Sequence, residues 1–347
     1  MLAALEPQLR GRVRCIYIDP PYNNQEEYLH YTDKLDHEEW LADITIRLKL
    51  LEPLMAKNGS LWISIDDTEL HYLKVAADQV LGRDRFVATV VWEHRTSREN
   101  RNIFSHNHEY ILVYASDPPE FKAFRQGLPA SGDALARYKN PDKDPRGPWQ
   151  SVTATAQAGH STSAQFYVLS APNGRRHSPP RGRCWLYSKE RMKREVASHN
   201  VWFGKDGNGV PRLKKHILGR QLRVTPPTLW AASEVGTTQQ AKKEFLALFP
   251  TSPVFETPKP ERLIRRILMV ATRPGDLVLD AYLGSGTTCA VAHKMSRRYV
   301  GIERGPRAAA LCSKRLRRVV SGEKGGISPD VSWLGGGGFG FYEFKAS

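Results

Sequence analysis

A chain of 347 residues with a formal net charge of +15 and a sequence pI near 9.7 is strongly basic. Positive charge of that size attracts polyanions, nucleic acid first among them. No run of about 18 apolar residues occurs, and the amino terminus lacks the apolar core of a secretory signal, so the chain reads as soluble and cytoplasmic with no membrane partner. Its four cysteines, Cys15, Cys184, Cys289 and Cys312, lie far apart without Cys-x-x-Cys spacing. That argues against a zinc site and a disulfide framework and predicts buried, reduced thiols.

The first strong signal is Ile16-Tyr17-Ile18-Asp19-Pro20-Pro21-Tyr22. A short apolar run stopped by an acid and two prolines predicts a buried strand that ends abruptly, because proline cannot continue a ladder. The residues past the stop are presented at the strand's C-terminal edge, where open α/β sheets bind ligands. There a carboxylate can accept a hydrogen bond from an amino group, a carbonyl fixed by the prolines can be aimed at the same nitrogen, and Tyr22 can stack on a planar ring. Asp-Pro-Pro alone equally fits a rigid turn.

Residues 23–37 are polar and aromatic without a period and predict a loop over that site. Residues 38–55 predict an amphipathic helix through Trp40, Leu41, Ile44, Leu48 and Leu51. Asn58-Gly59 predicts a turn into a second buried strand at 61–65. Asp66 and Glu69 have the spacing of a capping box and predict a helix ending at Leu81-Gly82, with a cofactor or loop contact for Asp67 as the alternative. Residues 86–92 and 110–114 read as strands. Between them a polar loop carries Arg95, Arg98, Arg101, His106 and His108 and is expected to face phosphate or solvent rather than a metal. Strand, helix, strand, helix, strand predicts a parallel sheet with crossovers.

At Asp117-Pro118-Pro119 the pattern breaks, and prolines and glycines are frequent until about Val224. Between Ala171 and Arg223 fourteen Lys or Arg, Arg220 among them, stand against three acids, which is +11 of the chain's +15. Trp185, Tyr187, Trp202 and Phe203 lie among them and are expected either to stack on or wedge between bases, or to form a small local core. Order returns with a predicted helix at 262–271, behind Pro258-Lys259-Pro260, and a strand at 277–280. Gly284-Ser285-Gly286 then leads into an Ala-rich helix. A glycine-rich turn between strand and helix lets backbone approach a ligand closely, and the helix N-terminus favours an anionic group. A further strand at 299–302 ends at Glu303, an acid suited to ribose hydroxyls. This order predicts a nucleoside cofactor; the missing third glycine and P-loop lysine argue against NAD and ATP.

Asp19-Pro20-Pro21-Tyr22 near the start and the stretch from Asp280 to Thr288 near the end resemble the catalytic and cofactor motifs of the β-class DNA amino-methyltransferases that use S-adenosylmethionine. Type III modification subunits and their stand-alone relatives are the nearest likeness. Ser64-Ile65-Asp66-Asp67, His108-Glu109-Tyr110-Ile111-Leu112-Val113-Tyr114, Thr257-Pro258-Lys259-Pro260 and Gly322-Glu323-Lys324-Gly325-Gly326 support it. Catalytic motif first, cofactor motif last and a variable region between is that class's order.

The resemblance implies an α/β, Rossmann-like, doubly wound mixed sheet in circularly permuted order. It implies a catalytic half at 1–116, a target-recognition insertion at 117–224, a cofactor-binding half at 225–320 and a Gly-rich tail at 321–347. By the same resemblance Asp19 and the Pro20 carbonyl accept hydrogen bonds from the target amino group, beside Pro21, and Tyr22 stacks on the flipped base. Asp280, Tyr282, Gly284, Gly286, Thr287, Thr288 and Glu303 are implied to hold S-adenosylmethionine, with Lys259 near its carboxylate and no metal. The implied activity is site-specific methylation of adenine N6 in double-stranded DNA. Cytosine N4, an RNA substrate, and a remnant that binds DNA without catalysing stay open, as do a homodimer and a restriction subunit as further partners. The family commonly carries Pro and Phe where this chain has Ala281 and Tyr282, and Thr where it has Asn24. Related chains also have a strand before the first helix, whereas residues 1–5 here read as part of that helix, so a sheet edge is expected to be missing.

Overall fold

The computed structural model describes residues 1–24, 35–100, 103–130, 132–217, 223–250 and 257–343. Most of the predicted loop at 23–37 therefore lies outside the described residues, as do Arg101 and Arg220. The contacts divide the chain into two units, Met1–Gly127 with Thr225–Ser347, and Leu128–Val224.

The first unit is built on a seven-stranded sheet. Its strands are β1 (Val13–Ile18), β2 (Met55–Ile65), β3 (Phe86–Glu93), β4 (His108–Ala115), β5 (Leu229–Trp230), β6 (Leu277–Asp280) and β7 (Arg298–Gly301). They stand in the order β5-β3-β4-β2-β1-β6-β7. β1 is parallel to β2 and β6, β6 to β7, and β5 to β3, whereas β4 runs antiparallel to both β2 and β3. The sheet is thus mixed, which corrects the parallel reading of the first strands. Between β3 and β4 the described residues of 94–107 form no helix, and the chain turns back beside itself.

β1 is central and buried. Ile16 and Ile18 pack with Trp40, Ile44 and Leu48 of α2 (His37–Leu51) and with Leu73 of α3 (Leu70–Leu81). Residues alternate across a strand, so Tyr17 turns the other way, and its hydroxyl meets Ser64 Oγ at 2.8 Å. A short helix, α1 (Leu2–Leu9), precedes β1. After α5 (Thr238–Leu248), α6 (Glu261–Ala271) also packs against β1. All four cysteines are buried and free.

Three local readings change. Asn58-Gly59 is no turn: β2 already starts at Met55, and its register against β1 jumps from Val13 opposite Met55 to Cys15 opposite Ser60. Gly59 is required at this bulge, since a Cβ there would stand 2.8 Å from the Val13 carbonyl oxygen and 2.9 Å from that of Ala56. The capping box at Asp66 is not formed either. α3 starts at Leu70 without a side-chain cap, Asp66 accepts from the Thr68 N–H at 2.9 Å, and Glu69 is buried. At Asp117-Pro118-Pro119 the chain does not leave the first unit; Asp117 caps α4 (Pro118–Phe124), which packs on β2.

The second unit is made of short strands, among them a three-stranded sheet of Trp149–Thr153, Val201–Trp202 and Arg212–His216. Leu128–Pro129 pairs antiparallel with Arg223–Val224, so the unit opens and closes at one point of the chain. Trp185 and Phe203 belong to its apolar core with Met192 and Leu213, the local-core alternative of the two that the sequence leaves open for them. Lys214 is buried between Asp142 and Asp144, so its charge is already compensated. Among the described residues no helix is long and apolar enough to cross a membrane, and no cluster of His, Cys, Asp and Glu could hold a metal.

Candidate functional site

Register brings three strand ends to one edge of the first unit's sheet. Tyr17 of β1 stands beside Asp280 of β6, and Asp280 stands beside Gly301 of β7. Asp19 therefore leaves the sheet next to the glycine turn that follows Asp280, with Glu303 just past β7 on the far side.

A cleft of about 700 Å³ opens at Asp19, Pro20 and Tyr22. Trp40 of α2 donates from Nε1 to the Pro21 carbonyl at 2.8 Å, which fixes the proline pair and leaves Pro20 on the cleft wall. The Tyr22 hydroxyl lies 3.0 Å from Asp19 Oδ1 and 2.9 Å from Glu109 Oε2. Lys259 Nζ lies 2.9 Å from Asp19 Oδ1 and 3.5 Å from Glu109 Oε2, and 4.9 Å from the centre of the Tyr22 ring. Two carboxylates thus share one ammonium and one phenol. Burial holds the Asp19 carboxyl above its ordinary range, with Lys259 pulling the other way. Burial, then Asp19 and Glu109, pushes the Tyr22 phenol well up. His94, 3.5 Å from Glu109 Oε1, is held below its ordinary value chiefly by burial.

Two acids here escaped sequence reasoning. Glu109 lies inside a motif that carried the resemblance but had no role of its own. Glu69, expected in a helix cap, instead holds the chain that leaves Tyr22. Asn23 sits at φ 57°, donates to Glu69 Oε1 at 2.9 Å, and accepts from the Leu35 N–H at 3.0 Å. His37 Nδ1 meets Glu69 Oε2 at 2.8 Å. The signal in the sequence was an Asn directly after the tetrad, a residue type that tolerates the left-handed conformation.

Of the eight residues expected around a cofactor only Lys259 lines this cleft. The others form a second cluster on the neighbouring strand ends. Asp280 is buried, accepts from the Tyr282 N–H at 2.9 Å and from Thr288, and has its carboxyl pushed up to about 7 by burial. Gly284 and Gly286 have φ of 54° and 82°, and Gly286 begins α7 (Thr287–Lys294). A Cβ on Gly286 would touch Cys312 at 3.4 Å, an ordinary contact, so it is the left-handed φ that calls for glycine there. Glu303 accepts from the N–H groups of Gly284 and Arg304, and burial raises its carboxyl.

A buried ion cluster braces this turn. Arg315 of α8 (Pro306–Val320) donates to Thr287 Oγ1 and to Glu261 Oε1, both at 2.9 Å. Lys294 donates to Glu261 Oε2 at 2.7 Å. Glu261 opens α6 two residues after Lys259, so the brace runs from the glycine turn to the segment that carries the cleft lysine.

The model of the N6/N4 amino-methyltransferases, described as DNA methylase, matches residues 13–314. The Mod subunit of the type III restriction-modification enzyme StyLTI from Salmonella typhimurium is 32% identical, over 83% of this chain and 47% of that protein. The EcoPI Mod subunit of Escherichia phage P1 is 28% identical, over 81% and 52%. The chain spans about half the length of the curated relatives it matches. Among solved structures, that of the PvuII cytosine-N4-specific DNA methyltransferase is 14% identical with a TM-score of 0.48, over 93% of this chain and 90% of that one.

Proposed function

The chain belongs to the DNA methylase family, and from that premise we propose that it transfers the methyl group of S-adenosylmethionine to N6 of adenine in double-stranded DNA, site-specifically and after base flipping. The observation that carries the reading is the parallel register of β1 and β6, with Tyr17 beside Asp280, from which the Asp-Pro-Pro-Tyr tetrad and the glycine turn emerge side by side.

The residues present fit that cofactor. Left-handed glycines leave backbone open to close approach, and Glu303 offers a carboxylate for ribose hydroxyls at the next strand end. Bound there, S-adenosylmethionine supplies an electrophilic methyl carbon on a sulfonium. The rest is done by side chains of the cleft. Asp19 and the Pro20 carbonyl each accept one N–H of the target amine, which turns the nitrogen lone pair toward the methyl carbon. Asp19, its proton affinity raised by burial, takes up the proton that the amine sheds. The Tyr22 hydroxyl, held by Asp19 and Glu109, keeps its ring in place to stack on the base. Lys259 must leave Asp19 when the amine arrives, and Glu109 is its second seat.

Asp at the head of the tetrad and the likeness to type III Mod subunits support adenine over cytosine. The unit Leu128–Val224 reads the target sequence in this account, a restriction subunit is a partner, and the protein works in the cytoplasm. Incubation with S-adenosylmethionine and plasmid DNA, followed by digestion to nucleosides, tests the reading. N6-methyladenine is expected. N4-methylcytosine alone would overturn the adenine assignment, and no methylated nucleoside would overturn the activity.

A further inference from the structure

Trp185 and Phe203, two of the four rings weighed as base wedges, are core residues of the second unit, yet two large apolar side chains of the first unit stand in solvent on the loop that borders its cleft. Ile103 and Phe104 are 96% and 78% exposed. They lie within the loop 94–107. That loop is tied at its base: the N–H groups of His94 and Arg95 both donate to the Asn107 carbonyl, at 3.0 and 3.3 Å. Asn107 Nδ2 donates to the carbonyls of Arg95 and Ser97, at 2.9 and 3.1 Å, and the Glu99 N–H donates to Ser105 Oγ at 2.9 Å. The same loop gives Arg95, Ser97 and His106 to the wall of the cleft that holds Asp19. Arg95 and Arg98 are exposed on its outgoing limb.

Adjacent large apolar side chains in water are unfavourable until something covers them, and their neighbours say what. Exposed arginines suit phosphates, and an apolar pair on the same loop suits the inside of a base stack. An extruded base leaves a gap whose closure opposes extrusion. We infer that Ile103 and Phe104 form a wedge that enters the duplex beside the target base and fills the gap left when that base turns into the cleft, with Arg95 and Arg98 on the flanking phosphates. The inference rests on the methyltransferase reading above. Because His106, two residues past Phe104, lines the cleft, the loop that would hold the gap open also walls the pocket that receives the base.

The test begins by sequencing plasmid DNA methylated by the wild-type protein, which gives the target. Synthetic duplexes then carry the target base either paired or opposite an abasic site. The Ile103→Ser/Phe104→Ser variant should bind S-adenosylmethionine as the wild type does. On the paired duplex its transfer should be roughly ten- to a hundredfold slower, and opposite the abasic site it should return to within about threefold of wild type, since that base costs little to extrude. Phe104→Leu, which keeps apolar bulk, should hold most of the rate. Unchanged transfer on the paired duplex overturns the wedge, and so does an equal loss on both duplexes or a leucine variant as slow as the serine one. A wild-type protein that leaves the plasmid unmethylated overturns the methyltransferase reading, and the wedge with it.

Discussion

At the scale of single residues, the site is a competition for one carboxylate. Lys259 Nζ lies 2.9 Å from Asp19 Oδ1. A charge-assisted hydrogen bond is about twice as strong as a neutral one, so a neutral amine cannot displace the ammonium unaided. Glu109, 3.5 Å from the same ammonium, offers it a second carboxylate, so its charge stays compensated in the displacement proposed above. Asp280 offers a separate test, in stability. The unfolded chain ionises this carboxyl from its ordinary value of 3.8, whereas the folded protein keeps the proton until about pH 7. Between those values the unfolded state is the one that binds fewer protons, so Asp280 makes stability fall as pH rises from 4 to 7, with no further loss above. Over that window the loss is roughly 4 kcal/mol. Asp280→Asn should remove it: urea midpoints of variant and wild type converge near pH 4, and the variant is the more stable at pH 8. A difference independent of pH would contradict the buried, protonated Asp280.

At the scale of elements, what could be read from sequence was whatever needs a special backbone or a long apolar pattern. The tetrad after β1 and the glycine turn after β6 stand out because proline ends a ladder and glycine takes left-handed φ. α6 was visible from its apolar spacing. Direction was not visible: a period of two is the same for parallel and antiparallel strands, so β4 read like its neighbours. Nor could Asn58-Gly59 be told from a turn, because the bulge exists only against β1. The structure makes that bulge testable. In Gly59→Val the Cβ meets backbone oxygens of Val13 and Ala56 at under 3 Å, and backbone can yield only by shifting the β1 pairing. We expect a loss of at least a few kcal/mol in urea unfolding, against less than about 1 kcal/mol for Asn58→Ala. A Gly59→Val variant as stable as wild type would contradict the register.

At the scale of the whole molecule, composition located the basic region but not the use of each charge. Lys214 is paired inside the second unit with Asp142 and Asp144, while Arg95 and Arg98, outside the basic run, are exposed, Arg95 on the wall of the cleft. Glu69 and Glu109 were missed for a related reason: a carboxylate in a helix start or a strand carries no mark of burial until the neighbours that bury it are known. What the distant motifs needed was a way to meet, and the parallel pairing of β1 with β6 supplies it across some 260 residues of chain. In the proposed reaction Asp19, at that meeting point, orients and deprotonates an amine while the neighbouring cluster holds the methyl donor. Labelled methyl transfer from S-adenosylmethionine to duplex DNA by wild type and Asp19→Ala, with cofactor binding measured in parallel, tests it most directly. Unchanged binding and at least a thousandfold loss of transfer are expected, the order that follows when the groups that orient and deprotonate are removed together; an Asp19→Ala protein that transfers at near the wild-type rate would contradict that role for Asp19.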